Sequence, residues 1–121
     1  MAKELGSWGE ERAARYLRLR GYKILARNYS RRGGEIDIIA SRGGYVAFVE
    51  VKLRKNAAFA EAREFVTHAK QQRIIYTAQL WLAETECELQ PRFDVIEIYA
   101  PDGERSGRIS VEHITDAFRC D

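Results

Sequence analysis

Charged side chains lie inside two adjacent runs, 34–40 and 45–53, that are otherwise rich in apolar and β-branched residues. Such runs are typical of strands, where a buried charge is expensive unless it has a partner or a ligand. Paired carboxylates bind a hard divalent cation such as Mg²⁺, and a bound cation can activate water and neutralise charge on a phosphate. The charged members of the two runs are Glu35, Asp37, Glu50 and Lys52.

The turn between the two runs decides which of these groups meet. Its four residues, 41–44, are Ser-Arg-Gly-Gly, which predicts an antiparallel hairpin. A symmetrical turn places Glu35 opposite Glu50 and Asp37 diagonal to Glu50, with these acids and Lys52 on one face. Two carboxylates that face each other destabilise a hairpin unless a cation lies between them. The pattern therefore favours a divalent-cation site over the structural alternative, a strand with surface salt bridges.

A first helix is predicted at about 4–20, ending at Gly21. At 100° per residue, Glu10 falls on the narrow apolar face of the helix and Glu11 falls on the opposite, solvent-exposed face. Because a buried acid without a partner is costly, Glu10 is a further candidate for the same site.

A second helix is predicted from the N-cap Thr67 to about residue 84. Its apolar stripe, continued into the first turn, reaches Lys70 and Gln71, which could approach a phosphate. The remaining segments are predicted as strands at 22–29, 93–99 and 108–112, a loop at 55–66 and a short helical tail near 116–118.

Length and composition indicate one globular domain, 1–121, with 45% apolar and 31% charged residues. No signal-peptide pattern and no apolar run long enough for a membrane span is present in the sequence. Cys87 and Cys120 lack the spacing of a disulfide framework or a zinc site. These features predict a soluble protein in the reducing cytoplasm.

Charge is distributed unevenly along the chain. Residues 1–55 carry 13 Lys and Arg against 6 Asp and Glu, whereas residues 56–121 carry 7 against 12. A basic half that includes an acidic hairpin suggests a polyanionic substrate brought to a metal site, although solvated arginines would give the same balance. The candidates for contact with a nucleic-acid backbone are Arg12, Arg15, Arg27, Arg31, Arg32 and Arg54.

Several motifs together resemble the uncharacterised bacterial YraN-type family. They are Trp8-Gly9-Glu10-Glu11, Gly34-Glu35-Ile36-Asp37-Ile38-Ile39-Ala40, Phe48-Val49-Glu50-Val51-Lys52, Val66-Thr67 with Lys70-Gln71, and Arg92-Phe93-Asp94-Val95. That family is grouped with the PD-(D/E)xK, restriction-endonuclease-like nucleases and resembles archaeal Holliday junction resolvases. The resemblance implies an α/β fold in which helices flank a mixed central sheet, with an α-β-β-β-α-β core.

The resemblance also implies roles for residues already singled out. Asp37 matches the first acid of the nuclease motif, Glu50 the second and Lys52 the lysine. Glu10 matches the acid of the first helix that lies beside the metal, and Glu35 is a further candidate ligand. The implied cofactor is Mg²⁺ or Mn²⁺.

The expected function is a metal-dependent DNA endonuclease acting on duplex or branched DNA, including a Holliday junction. No recognition-helix or zinc-finger motif occurs in the sequence, which favours selection of DNA structure over DNA sequence. A homodimer would supply the two sites needed to cut both strands. The alternatives are an inactive nucleic-acid-binding or DNA-processing accessory protein with the same fold, and a structural interaction domain.

Three other polar residues receive no functional role from the sequence. His68 and His113 have no second metal ligand at a suitable spacing. Asp94 is predicted to point outward from its strand as a salt-bridge partner.

Overall fold

The protein is described by a computed structural model that covers residues 2–54 and 66–119, with side chains for all of these except 2–6 and 104. The predicted loop at 55–66 lies outside these residues apart from Val66, and so does Cys120. Cys87 is a free thiol. None of the helices described is long and apolar enough to cross a membrane.

Within residues 2–54 and 66–119, two helices and five strands form a mixed α/β fold, as predicted. The elements are α1 (Ala2–Leu19), β1 (Lys23–Arg31), β2 (Gly34–Arg42), β3 (Tyr45–Arg54), α2 (His68–Thr85), β4 (Gln90–Tyr99), a 3₁₀ turn (Gly103–Arg105) and β5 (Ser110–Phe118). The strands lie in the order β1-β2-β3-β4-β5. β3 and β4 are parallel, because α2 connects them, and the other neighbours are antiparallel.

Helix α1 packs on one face of the sheet through small and apolar side chains. Ala13, Ala14 and Leu17 are fully buried, against a cluster that includes Ile38 and Val49. The helix ends at Leu19, and Gly21, with a φ of +89°, lets the chain reverse into β1.

Helix α2 packs on the opposite face. The side chain of Thr67 accepts a hydrogen bond from the Lys70 backbone N–H at 3.2 Å, which confirms the predicted N-cap. Its buried stripe includes Ile74 and Trp81, and the Trp81 ring meets Phe48 edge-on at 5.7 Å.

The turn between β1 and β2 lies directly against α2. A Cβ atom at Gly34 would collide with Thr77 Oγ1 and lie 3.0 Å from the Arg73 carbonyl oxygen. Only glycine therefore allows this approach without displacing the helix. The contact places the start of β2 beside the first half of α2.

The last strand is longer than predicted. Instead of a strand at 108–112 and a helical tail, β5 runs from Ser110 to Phe118. Pairing with the edge of β4 extends it through a register shift between Phe93 and Val95, with Asp116 at φ +56°. The predicted outward direction of Asp94 is also wrong, because its side chain is fully buried.

Candidate active site

The β2–β3 hairpin has a shorter turn than predicted. Both strands continue to the pair Arg42↔Tyr45, so only Gly43 and Gly44 form the turn, with Gly43 at φ +60°. The register therefore differs from the prediction by two residues, and Glu35 does not face Glu50. Since side chains alternate with period two, an even shift keeps them on the predicted faces.

The strands separate where the acids begin. Ile38↔Val49 is the last backbone pair of this ladder on the side away from the turn. Beyond it, the Val51 N–H donates to Asp37 Oδ2 at 2.8 Å. The Asp37 carboxylate thus accepts the hydrogen bond that a backbone carbonyl of β2 would otherwise accept, and it lies between the two strands. Continuing the register of the ladder places Asp37 opposite Glu50.

A cavity of about 110 Å³ opens at this separation. The structure brings three of the four predicted acids, Glu35, Asp37 and Glu50, to its walls together with Lys70. The complete lining is Gly34, Glu35, Asp37, Glu50, Lys70, Arg73 and Ile74.

Arg73 is a lining residue that the sequence analysis did not select. It lies three residues after Lys70 on α2, and residues three apart share a helix face. That spacing was the available signal. Arg73 forms no ion pair with the side chains described, so its guanidinium remains available to an anion at the cavity.

Glu50 is held by two lysines. Lys70 Nζ lies 2.6 Å from Glu50 Oε2 and Lys52 Nζ lies 3.3 Å from the same oxygen. Burial by itself lowers the pKa of Lys70, but the hydrogen bond and charge of Glu50 outweigh that effect and raise it. Glu50 is only 6% exposed, so water solvates its carboxylate poorly. The two ammonium groups compensate most of its negative charge instead.

Asp37 forms no ion pair with the side chains that the structure describes, although its charge acts on Lys70. Burial, followed by the negative charge of Glu50, raises the pKa of Asp37 to about 7, against the opposing effect of the Val51 N–H. That N–H is its one hydrogen-bond donor among residues 2–54 and 66–119. Proton uptake or a bound cation would relieve this unfavourable charge.

Glu10 turns inward as predicted, and Glu11 remains exposed. Burial raises the pKa of Glu10, a hydrogen bond with Asn28 opposes that effect, and the charges of Glu35 and Glu50 raise it further. Glu10 therefore lies within the electrostatic field of the cavity acids, although it does not line the cavity.

The donor set fits a magnesium-type ion better than a metal held by protein ligands alone. In the part of the chain described, no three His, Cys, Asp or Glu side chains lie close enough to hold one ion together. Mg²⁺ is commonly held by one or two carboxylates and completes its shell with water and phosphate. Asp37 and Glu50 meet that requirement, whereas the assignment of Glu10 and Glu35 as ligands stays a prediction.

The predicted backbone-contacting arginines fall into two groups. Arg27 is paired with Glu11 at 2.8 Å and Arg31 with Glu84 at 3.0 Å. Arg15 and Arg32 are exposed, Arg12 is half-buried, and none of these three is paired with a side chain described here.

Two further residues predicted to contact DNA bind other groups of the protein instead. Arg54 is 9% exposed and pairs with the buried Glu97 at 3.3 Å. That position corrects its assignment, since a residue that clamps a DNA backbone must be accessible. Gln71 Nε2 donates to the Val66 carbonyl oxygen at 2.8 Å, which fixes the entry to α2.

Sequence comparisons place the chain within a family. The model of the uncharacterised protein family UPF0102 matches residues 9–98, and the chain belongs to that family. It is 45% identical over 120 residues to a UPF0102 protein of Symbiobacterium thermophilum, covering 98% of each chain. It is 44% identical over 117 residues to a UPF0102 protein of Caldanaerobacter subterraneus subsp. tengcongensis, covering 96% of this chain and 95% of that protein.

Proposed function

We propose that this UPF0102 protein is a Mg²⁺- or Mn²⁺-dependent endonuclease that hydrolyses phosphodiester bonds in DNA. The observation that carries the proposal is the carboxylate pair at the separation of β2 and β3, formed by the buried Glu50 and the half-buried Asp37. Asp37 has a pKa raised to about 7 beside Glu50, and two basic side chains, Lys70 and Arg73, line the cavity. An acid whose pKa is strongly perturbed by partial burial and a neighbouring charge, in a cleft, is a marker of functional sites.

Each residue has a distinct role in this proposal. Asp37 and Glu50 would hold the divalent ion, whose chemistry is activation of water and neutralisation of charge on the phosphate. Lys52 would stabilise the charge that develops on the phosphate oxygens, as a preorganised cation near Glu50. Glu10, behind the cavity, would orient water by accepting hydrogen bonds.

Lys70 occupies the position of a cation next to Glu50. Its ammonium lies 2.6 Å from the carboxylate, so an ion that binds Glu50 must compete with it. Once released, Lys70 could contact the phosphate together with Arg73, because both lie on the cavity side of α2. Arg12, Arg15 and Arg32 would contact more distant phosphates, which adds affinity but no sequence preference.

The substrate that fits best is branched or nicked DNA in the cytoplasm. Backbone contacts of this kind respond to the arrangement of strands and not to base sequence. A homodimer would present two cavities and so allow both strands of a junction to be cut.

A second candidate is an inactive DNA-binding or DNA-processing accessory protein. The observation in its favour is that two lysines already neutralise Glu50. Such an arrangement is self-sufficient if no ion ever replaces Lys70.

Cleavage assays distinguish the two candidates. Labelled duplex, single-stranded, flap and four-way-junction DNA are incubated with the protein and Mg²⁺ or Mn²⁺, alongside Asp37→Ala and Lys52→Ala. The matched controls are Asp102→Ala and Lys23→Ala, which change exposed residues outside the cavity lining. The endonuclease predicts cleavage that only Asp37→Ala and Lys52→Ala lose. DNA binding without cleavage by the unaltered protein would favour the accessory role.

A further inference from the structure

Four side chains alternate between cation and aromatic ring at the turn end of β3. The Arg42 guanidinium carbon lies 5.6 Å from the centre of the Tyr22 ring. Arg92 lies 5.8 Å from that ring and 5.4 Å from the centre of the Tyr45 ring. These separations are those of cation–π contacts. We refer to Arg42, Tyr22, Arg92 and Tyr45 as the cation–aromatic ladder.

Arg92 is fixed in the ladder by a buried acid. Asp94 accepts from Arg92 Nε at 2.9 Å and from Arg92 Nη2 at 2.8 Å, while Nη2 also donates to the Tyr22 hydroxyl at 2.6 Å. His113 Nε2 lies 2.7 Å from Asp94, and the Asp116 N–H donates to Asp94 at 3.1 Å. The guanidinium is therefore held in place before any ligand arrives.

An open groove of about 670 Å³ runs beside the ladder, within the size range of ligand sites. Its lining includes Tyr45, Arg92, Phe118 and Arg119. Arg119 is oriented by Asp116 at 2.6 Å. The groove thus combines an aromatic ring with two oriented arginines.

Stability alone does not account for this arrangement. Asp94 joins β4 to β5 at the register shift, which explains Arg92 and His113 as structural partners. It does not explain why the ladder ends on Tyr45, a ring that is 47% exposed beside an open groove. Exposed rings with neighbouring cations are the components of single-strand nucleic-acid sites.

We propose that this groove binds a nucleotide unit of a single DNA strand, with the base stacked on Tyr45 and the phosphate held by Arg92 and Arg119. A base of any type has a π face, so the site would tolerate different sequences. The inference rests on the proposed function only for the choice of DNA, and it requires neither metal nor cleavage.

The groove contacts the first residue of β3, Tyr45, and the cavity contacts Glu50 farther along the same strand. Five residue steps separate Tyr45 from Glu50 along the strand, or roughly 17 Å at about 3.3 Å per residue. One nucleotide cannot occupy both sites. The groove would therefore hold an unpaired arm of a branched substrate while the cavity acts elsewhere on that substrate.

The test measures binding without catalysis. Fluorescence anisotropy is recorded for a labelled dT oligonucleotide of about 12 nucleotides, within the length range of single-strand sites, in EDTA at low salt. The variants are Tyr45→Ala, Tyr45→Trp and Arg119→Gln. The matched controls are Tyr76→Ala, at a tyrosine that is 53% exposed on α2, and Arg108→Gln, at another exposed arginine.

We expect Tyr45→Ala to weaken binding roughly tenfold, the loss of one stacked base, and Tyr45→Trp to retain it. Arg119→Gln should lower the salt dependence by about one ion, because it removes one phosphate contact. An abasic oligonucleotide should bind the unaltered protein as weakly as dT binds Tyr45→Ala. Neither control substitution should change binding.

Four results would overturn the proposal: no binding of dT by the unaltered protein, equal binding by Tyr45→Ala, equal binding of the abasic strand, or competition by free dTMP as strong as by the oligonucleotide. The last result would indicate a mononucleotide site. Mn²⁺ binding by Tyr45→Ala separates this proposal from the endonuclease. In Tyr45→Ala, intact Mn²⁺ binding together with unchanged dT binding would refute the groove alone. In the unaltered protein, dT binding without Mn²⁺ binding would refute the metal site alone.

Discussion

Replacing Asp37 with Asn should stabilise the metal-free protein at neutral and alkaline pH. Asn retains an oxygen that can accept the Val51 N–H, and it removes a charge that is unfavourable in the folded state. The difference between a pKa of 3.8 and one of about 7, at 1.36 kcal/mol per pH unit, corresponds to about 4 kcal/mol. This is an upper limit, because relaxation and water entry reduce it, so we expect a gain of about 1–4 kcal/mol at pH 8.

The pH dependence has a defined sign. Because folding raises the pKa of Asp37, the protonated carboxyl is favoured in the folded state. The contribution of Asp37 to the free energy of unfolding is therefore greatest below about pH 4. This contribution decreases as the pH rises from about 4 to 7 and does not change further above pH 7. The advantage of Asp37→Asn should therefore be absent at pH 4 and greatest at pH 8.

Urea unfolding in EDTA at pH 4, 6 and 8 measures this difference as a free energy of unfolding. Asp102→Asn, at an exposed acid, provides the control. With Mn²⁺ at 100 times its dissociation constant, the unaltered protein should gain about 2.7 kcal/mol and Asp37→Asn should gain little. Equal or lower stability of Asp37→Asn in EDTA at pH 8 would refute the reasoning about its charge.

Three further substitutions test other parts of the structure. Lys70→Met should tighten Mn²⁺ binding in calorimetry, because it removes the cation that competes for Glu50. It should also lower the free energy of unfolding of the metal-free protein by about 1 kcal/mol. Weaker Mn²⁺ binding would contradict the competition. Gly34→Ala should lower the free energy of unfolding in urea by about 1–3 kcal/mol, because its Cβ would collide with α2. The control Gly44→Ala, where a Cβ meets nothing within 4 Å, should change it by less than about 0.5 kcal/mol. Equal effects of the two substitutions would contradict the close approach. Asp94→Ala should lower the melting temperature strongly, by about 3 kcal/mol in stability, because Arg92 loses its buried partner; a wild-type melting temperature would contradict that role.

The sequence was sufficient to predict the helices, the hairpin and the grouping of the acids, because each depends on local patterns. Gly21 and Thr67 mark helix ends by backbone geometry and capping. Asp37 and Glu50 were predicted on the same face because strand alternation depends only on the parity of the register. Their exact pairing was wrong because the turn uses two residues and not four.

The features that the sequence did not predict depend on contacts between distant segments. β5 extends to Phe118 because β4 offers a free edge, which no local pattern shows. Asp94 points inward because its partners, Arg92 and His113, converge on it from two strands. Arg54 is buried because it pairs with Glu97, two residues before its register partner Tyr99 on the parallel neighbour β4.

The most direct test of the metal site is a calorimetric titration of Mn²⁺ into the unaltered protein and into Asp37→Ala at pH 8. The carboxylate pair predicts a saturable binding heat for the unaltered protein and none for Asp37→Ala. No heat with the unaltered protein, or the same heat with both proteins, would show that Asp37 and Glu50 do not form a metal site.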